Sequence, residues 1–285
     1  MSAMNGYASL NPMKCALFIF LPVVIISGII LFSRNSFQYR IKNGLAEVKQ
    51  LQKNKRNHES IEAYMKLIDK MEESGDMSYA GAVVCGMATA HLNLGNEQNS
   101  PAHYKRAIEL FNKGFDAYDS KGYPANYAAI NNSIGISYTN LSKIENPEEN
   151  LAGAIEAYYK AYNTYQKLED NKRCGEILNN LGVAYDTLSK TKDKEKNLES
   201  AIQSFRNAVS FYKKDCDLTD YITAMNNLGF AHRGLASVNN KDKNLKYAIA
   251  IFQQELMLVN PAKYPEQYAV IKNNIEETKQ MLKRK

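Results

Sequence analysis

Several residue types are scarce in this sequence, which has no tryptophan and only 7 prolines. No stretch is rich in glycine, whereas tyrosine is abundant, with 19 residues. A proline-poor, tyrosine-rich chain is typical of packed helices whose aromatic rings bridge the core and the solvent. Hydrophobic residues make up 45% of the chain and charged residues 23%, a composition that argues against wholesale disorder.

Cysteine and histidine are also scarce, with four of each. The cysteines show no CxxC spacing, and Cys15 lies in an apolar segment, which leaves an odd number elsewhere. No histidine has HExxH or His-x-His spacing. A disulfide framework is therefore not expected, and we expect neither a metal nor a cofactor.

Motifs for catalysis and for nucleic-acid binding are absent as well. The sequence has no phosphate-binding G-x-x-x-x-G-K-[ST] loop, no dinucleotide-binding G-x-G-x-x-G after a strand, and no G-x-S-x-G nucleophile motif. The net charge is +6, but lysines and acidic residues are interleaved, whereas a nucleic-acid surface collects basic charge on one face. We therefore predict neither an enzyme nor a nucleic-acid partner.

A long apolar run lies near the N-terminus, at residues 15–32. Eighteen helical residues span about 27 Å, close to the thickness of the hydrocarbon layer of a bilayer. The alternative is a cleaved signal peptide, but the run ends without a small-x-small cleavage site. We predict a single transmembrane anchor at 15–32, preceded by an N-terminal tail at 1–14.

The charges that flank this run bear on its orientation. Lys14 precedes it, whereas Arg34, Arg40 and Lys42 follow it, which favours a cytoplasmic soluble domain by the positive-inside rule. If translation starts at Met13, the short start instead resembles a signal anchor that exports its C-terminal domain. A periplasmic or other extracytoplasmic location is therefore the alternative.

A repeat of 47 residues organises the rest of the chain. At several positions the same residue recurs with this spacing, and we call each set of equivalent positions a column. There is an asparagine column, a glycine column and an alanine column: Asn132, Asn179, Asn226 and Asn273; Gly135, Gly182 and Gly229; Ala107, Ala154, Ala201 and Ala248. Glycine and alanine allow two helices to approach closely, and an aromatic ring fills the adjoining space. One helix pair has too little apolar surface to be stable alone, so neighbouring pairs are expected to stack.

Within one unit, Leu181-Gly182-x-x-Tyr185 is followed by Ala201-x-x-x-Phe205. These patterns resemble the two helix signatures of the tetratricopeptide repeat, whose usual length is 34 residues. The longer unit, with its Asn-Asn-Leu-Gly motif, looks most like the long repeats found beside caspase-like domains in bacteria and those of kinesin light chains. The resemblance covers about residues 57–282. It implies an all-α, right-handed superhelical solenoid of helix pairs.

The period predicts the organisation of the chain after the anchor. We expect the solenoid to occupy 36–285, with these parts: a degenerate unit at 37–77, full units at 78–124, 125–171, 172–218 and 219–265, and a closing helix at 266–282.

Two neighbouring asparagine columns are the candidate binding site. Asparagine is a poor helix former, so its repetition inside helices needs an explanation. In tetratricopeptide proteins the first helices line a concave groove, where asparagines contact the backbone of an extended peptide. The alternative is that the amides bond between repeats and fix their register. The predicted groove residues are Asn132, Asn179, Asn226 and Asn273 in the first column and Asn180, Asn227 and Asn274 in the second.

The resemblance implies a membrane-anchored adaptor or scaffold that holds a peptide or a protein partner in its groove. Two alternatives stay open on the sequence alone. One is a structural scaffold that assembles with itself, and thus a homo-oligomer. The other is a regulatory subunit of a partner enzyme.

Overall fold

The structure is a computed structural model of the 285-residue chain. The structure describes the backbone of residues 12–212 and 218–284, and the side chains of these ranges from Ser33 onward. Eleven α-helices and no strands occur in these ranges: α1 (Pro12–Lys53), α2 (Asn57–Ser74), α3 (Ala80–Gln98), α4 (Pro101–Gly114), α5 (Pro124–Leu141), α6 (Pro147–Lys167), α7 (Asn171–Leu188), α8 (Lys194–Phe211), α9 (Leu218–Leu235), α10 (Lys241–Leu258) and α11 (Pro265–Lys283). The described chain is therefore all-α, as the sequence predicts.

The chain consists of two compact units, of which the first ends at Val83 and the second begins at Val84. In the first unit, α1 packs against α2. The buried side chains of this pair include Ile41, Leu45 and Val48 on α1 and Tyr64, Leu67 and Met71 on α2. The candidate site lies wholly in the second unit.

The helices of the second unit repeat with the period of the sequence. The first helices of successive pairs, α5, α7 and α9, begin at Pro124, Asn171 and Leu218, at intervals of 47 residues. The second helices, α6, α8 and α10, begin at Pro147, Lys194 and Lys241, at the same interval. From α4 to α11, each helix packs on the next one along the chain. The unit is thus a row of stacked helix pairs, which repeats the same packing contacts.

The glycine column brings the two helices together in three pairs, α5–α6, α7–α8 and α9–α10. A Cβ atom added at any of these glycines would lie 2.5 Å from the Cε1 atom of a buried aromatic ring on the second helix; the pairs are Gly135–Tyr158, Gly182–Phe205 and Gly229–Phe252. No side chain fits there without moving the ring, because real Cβ contacts are longer. The structure confirms the predicted combination of a glycine and an aromatic ring at the helix crossing.

The turn between the two helices of a pair also repeats. Its residue before the second helix is Asn146, Asp193 or Asn240, each with a positive φ of 41–44°, which asparagine and aspartate tolerate better than most residues. Four residues later a buried asparagine donates a hydrogen bond of 2.7–2.9 Å to a backbone carbonyl of the turn; these bonds are Asn150–Glu145, Asn197–Lys192 and Asn244–Asn239. The following leucine is buried in every case. The Asn-Leu pairs of the sequence therefore stabilise this turn, the asparagine by its hydrogen bond and the leucine by its burial.

The last described helix covers the apolar end of the final pair. On α11, Ile271 and Ile275 are buried and pack in one cluster with Ile222, Phe252 and Val259. The opposite side of α11 carries exposed polar residues such as Glu276 and Glu277. This pattern is compatible with the predicted closing helix, which stays a prediction.

Among the residues that the structure describes in full, no helix is long and apolar enough to cross a membrane. The apolar run at 15–32 belongs to the backbone of α1, but its side chains are outside the fully described residues. The predicted anchor therefore stays a prediction, as does the orientation derived from its flanking charges.

Candidate peptide-binding face

The seven predicted asparagines lie on the first helices of the repeats and on α11. Asn132 is on α5, Asn179 and Asn180 are on α7, Asn226 and Asn227 are on α9, and Asn273 and Asn274 are on α11. We call the side of these helices that carries them the asparagine face. Asn132, Asn179 and Asn226 of the first column are half-buried, and so are Asn180 and Asn227 of the second.

The two columns are joined by hydrogen bonds that run from one repeat to the preceding one. The Asn180 Nδ2 atom donates to the Asn132 Oδ1 atom at 3.2 Å, which links α7 to α5. The Asn227 Nδ2 atom donates to the Asn179 Oδ1 atom at 3.0 Å, which links α9 to α7. We call each such bond a rung. The rungs show that the amides bond between repeats, which is the structural role considered from the sequence.

Each rung also fixes the orientation of a first-column amide. The oxygens of Asn132 and Asn179 accept the rung, whereas their Nδ2 groups make no hydrogen bond to any described residue. An asparagine amide has two N–H donors on this nitrogen. Because both side chains are half-buried rather than enclosed, these donors are accessible to an acceptor from outside. A structural bond and a binding role are thus compatible in one residue.

The third rung of the series is missing. The period would pair Asn274 with Asn226, but the Asn226 Nδ2 atom instead donates to the Glu255 Oε1 atom at 3.3 Å. The Asn274 side chain is buried, and its Nδ2 atom has no hydrogen-bond partner. An unpartnered buried donor costs on the order of 1–3 kcal/mol. The contact between α9 and α11 is therefore less well satisfied than the two before it.

Glu255 on α10 is the residue that distinguishes this last contact. Its side chain is fully buried, with an exposed fraction of 0%, and its Oε2 atom has no partner. Burial raises the pKa of Glu255 to about 7, while the bond from Asn226 opposes this shift. One and two periods earlier, the same column holds the buried Ala208 and Ala161. Sequence reasoning missed Glu255, although its place in a column of alanines was the signal.

Asn273 differs from its column because no described helix follows α11. Its side chain is exposed, and its Nδ2 atom donates to the Glu277 Oε1 atom in the same helix at 2.9 Å. The structure therefore does not unite Asn273 with the rungs.

An apolar and a cationic group accompany the amides on α9. The Phe230 ring is 43% exposed, although it contacts the buried Phe252 ring edge-on at a centroid distance of 5.4 Å. The Arg233 guanidinium lies over the Phe230 ring at 5.2 Å and forms an ion pair with Glu277 at 3.4 Å. The sequence prediction did not include these residues. An exposed ring one turn from Asn226 and Asn227 could receive an apolar side chain of a partner.

Groups that could hold a metal or act as nucleophiles are few in the described part of the chain. It contains no group of three or more histidine, cysteine or acidic side chains that could hold a metal ion. Cys85 and Cys174 are free thiols, and burial raises the pKa of Cys85 to about 11, which keeps it protonated and unreactive at neutral pH. Cys15 and Cys216 are outside the fully described residues.

Comparison with solved structures identifies the fold. The chain is similar to a Podosopora anserina protein described as a putative kinesin light chain with nearly identical TPR-like repeats. The two structures superpose with a TM-score of 0.51 at 13% sequence identity, covering 74% of this chain and 94% of the other.

The chain has a tetratricopeptide-like repeat fold. This confirms the resemblance that the Leu-Gly-x-x-Tyr and Ala-x-x-x-Phe signatures indicate. The TPR2AB domain complex of yeast Sti1 also aligns, at 15% identity over 83% of this chain and 98% of that one, but its TM-score of 0.30 is too low to support a structural comparison. No protein-family model matches the sequence, and no curated protein matches it.

Proposed function

We propose that this tetratricopeptide-like chain is a membrane-anchored adaptor that binds a peptide segment or a protein surface on its asparagine face. The observation that carries the proposal is the pair of amides on α5 and α7. Rungs hold the oxygens of Asn132 and Asn179, and their Nδ2 donors have no partner in the described chain. Two donors held 47 residues apart in sequence and on adjacent first helices suit a ligand that offers regularly spaced acceptors.

An extended peptide backbone is such a ligand. Its carbonyl groups accept hydrogen bonds whatever the side chains are, so amide donors recognise the backbone without reading the sequence. Selectivity then comes from side-chain contacts, for which the exposed Phe230 ring is available on α9. The partner is therefore a segment whose backbone binds at Asn132 and Asn179 and which carries an apolar side chain beyond this part, at Phe230. Self-assembly requires that the chain itself supply this segment.

The membrane part of the proposal is supported by the apolar run at 15–32, which belongs to the long helix α1. The full-length chain should remain with membranes after a carbonate wash, because about 18 apolar helical residues match the hydrocarbon thickness. Immunoblotting of a C-terminally tagged chain measures this. A full-length chain in the carbonate supernatant would reject the anchor. Protease protection in sealed vesicles then distinguishes the cytoplasmic from the extracytoplasmic orientation.

Peptide binding is tested with the double variant Asn132→Asp/Asn179→Asp. Aspartate keeps the oxygen that accepts each rung but lacks the N–H donors, so the repeats stay joined while the donors are removed. Random peptides are first selected by display on the full-length chain in detergent. We expect the double variant to bind the selected peptides about 5- to 100-fold more weakly, since each lost hydrogen bond contributes about 0.5–1.5 kcal/mol.

A matched control adds the same two charges elsewhere. Gln253 and Gln254 are exposed on α10, so Gln253→Glu/Gln254→Glu should leave the affinity unchanged. Equal affinity of the wild-type chain and the Asn132→Asp/Asn179→Asp variant for every selected peptide would contradict binding at the asparagine face. Recovery only of peptides that match segments of this chain would instead favour the self-assembling scaffold.

A further inference from the structure

A cavity of about 250 Å³ opens between α6, α7 and α8, away from the asparagine face. Leu178, Leu181 and Tyr185 line it from α7. Successive residues of a helix are about 100° apart, so Asn180 lies on roughly the opposite side of α7 from Leu178. The cavity and the rungs therefore belong to two different surfaces of the same repeat.

The cavity exists because this repeat departs from its neighbours. In the next repeat Tyr247 occupies the column of Ser200, and its ring packs on His232 at a centroid distance of 5.3 Å. In the preceding repeat the same column holds Gly153, and the Tyr138 ring lies against it, 3.2 Å from where a Cβ atom would be. Between α7 and α8 the small Ser200 leaves this position open.

Tyr185, the column mate of Tyr138 and His232, does not close the gap. Its hydroxyl oxygen instead lies 3.2 Å from the hydroxyl oxygen of Tyr159 on α6. Burial raises the pKa of Tyr185, with a smaller contribution from Tyr159, so this hydroxyl remains protonated. The Tyr159 ring is 44% exposed at the mouth of the cavity. Two tyrosines from adjacent helices thus form an aromatic wall with polar edges.

The opposite wall offers a matched donor and acceptor. On α8, the Gln203 Nε2 atom donates to the Asn207 Oδ1 atom at 2.8 Å, one turn away. This bond leaves the Gln203 oxygen as an acceptor and the Asn207 nitrogen as a donor, and neither has another partner among the described residues. An acceptor and a donor side by side match the N–H and the C=O of a peptide backbone.

The chemistry of the lining favours an uncharged occupant. None of the lining residues carries a formal charge, so a charged group would lose hydration without gaining an ionic partner. Tyrosine, serine and asparagine are the residues that protein-recognition loops use for rigid contact area and adaptable hydrogen bonding. Pockets for drug-sized ligands usually hold about 300–1,000 Å³, and this cavity is smaller. Its size therefore suits one side chain of a larger partner.

We propose that this cavity is a second docking site that receives one uncharged aromatic or large aliphatic side chain of an extended protein segment. The side chain stacks between Tyr159, Tyr185 and Leu181, and an adjoining peptide group pairs with Gln203 and Asn207. The site does not depend on the asparagine face, because none of the predicted asparagines lines it. Two separate surfaces allow one chain to hold two segments, which is what an adaptor requires.

The test uses displayed random peptides and the full-length chain in detergent, with the Asn132→Asp/Asn179→Asp variant as bait so that the asparagine face is impaired. Ser204→Ile fills the cavity with the residue that the next repeat has at this position, Ile251. Asn207→Asp keeps the volume but replaces the amide donor with a charge. We expect selected peptides to share one phenylalanine, tyrosine or leucine among uncharged neighbours. Both substitutions, added to the bait, should weaken their binding at least tenfold.

The control is Gln254→Glu, which makes the equivalent charge change in the same column one repeat later and should not alter the affinity. If Ser204→Ile perturbs folding by circular dichroism, the isosteric Asn207→Asp variant decides. Selected peptides that bind equally to the cavity variants, or that share a charged residue, would overturn the proposal. Binding of neutral monosaccharides that Ser204→Ile abolishes, with no cavity-dependent peptide, would also overturn it and assign a carbohydrate site.

Discussion

The wild-type chain should lose about 3 kcal/mol of its free energy of unfolding as the pH rises from about 4.5 to 8. Replacing Glu255 by glutamine should abolish this loss. The carboxyl is fully buried, and its Oε2 atom has no hydrogen-bond partner. Its pKa rises from 4.5 to about 7 in the folded chain, and each pKa unit corresponds to about 1.4 kcal/mol. Glutamine keeps the acceptor for Asn226 and carries no charge.

The direction of this change in stability with pH follows from proton binding. Between pH 4.5 and 7 the folded chain keeps a proton on Glu255 that the unfolded chain has already released, so stability falls as the pH rises. The stabilisation is fully present below about pH 4.5 and is lost through about pH 7. Urea unfolding at pH 5, 6, 7 and 8 measures this slope in both chains.

A control is available in the first turn of α11, where Glu266 is exposed. Glu266→Gln should retain the wild-type pH dependence. Identical slopes for the wild-type and Glu255→Gln chains would show that the buried carboxyl does not govern the stability of the last repeat. Glu255→Ala should also stabilise the chain above pH 7, because two other repeats pack with alanine in this column.

Deleting residues 266–285 should destabilise the last helix pair strongly. The deletion removes Ile271 and Ile275 from the cluster that contains Phe252, Ile222 and Val259, and it exposes those three side chains to water. Burial of each isoleucine stabilises the fold by about 1.5–3 kcal/mol. In a folded unit of this size, such a loss lowers the melting temperature by about 10 °C or promotes aggregation.

The matched control is a chain that ends at Lys283, the last residue of α11. It lacks only residues 284–285 and should melt like the wild-type chain, because Arg284 is exposed. Circular dichroism and light scattering on the three chains measure both effects. A monodisperse deletion variant with an unchanged melting temperature would show that α11 does not cap the last repeat.

Features that recur in the units from residue 125 to residue 265 could be predicted from the sequence. Gly182 and Phe205 meet at a helix crossing because only glycine leaves room for the ring, and this requirement is visible as two columns. The Asn-Leu pairs are equally local, since Asn197 bonds to the turn five residues earlier. The predicted asparagine columns do lie on adjacent first helices and on α11, and four of the seven members form rungs, whereas Asn226, Asn273 and Asn274 do not.

The columns show where a repeat departs from its neighbours, as at Glu255, but not what the departure does to the structure. The cavity beside Tyr185 arises because Ser200 is small and Tyr185 does not cover it, whereas a tyrosine ring occupies this place in both neighbouring repeats. A repeat pattern shows what the units share and not such differences. Likewise the missing rung depends on Glu255, which lies on another helix and draws the Asn226 amide toward it. The direction in which an amide points is decided by its neighbours in space, so spacing alone left the groove and structural roles undecided.

The rungs are tested most directly by the difference in the free energy of unfolding between Asn227→Ala and Asn274→Ala. Both substitutions replace a second-column asparagine inside a helix, α9 or α11, by alanine, so the gain in helix propensity is the same. Asn227→Ala removes the rung to Asn179, whereas Asn274→Ala removes only a buried amide whose nitrogen has no hydrogen-bond partner. We predict that Asn274→Ala is more stable than Asn227→Ala by about 1 kcal/mol or more. Equal stabilities, or a less stable Asn274→Ala chain, would contradict the role of the asparagine columns in joining the repeats.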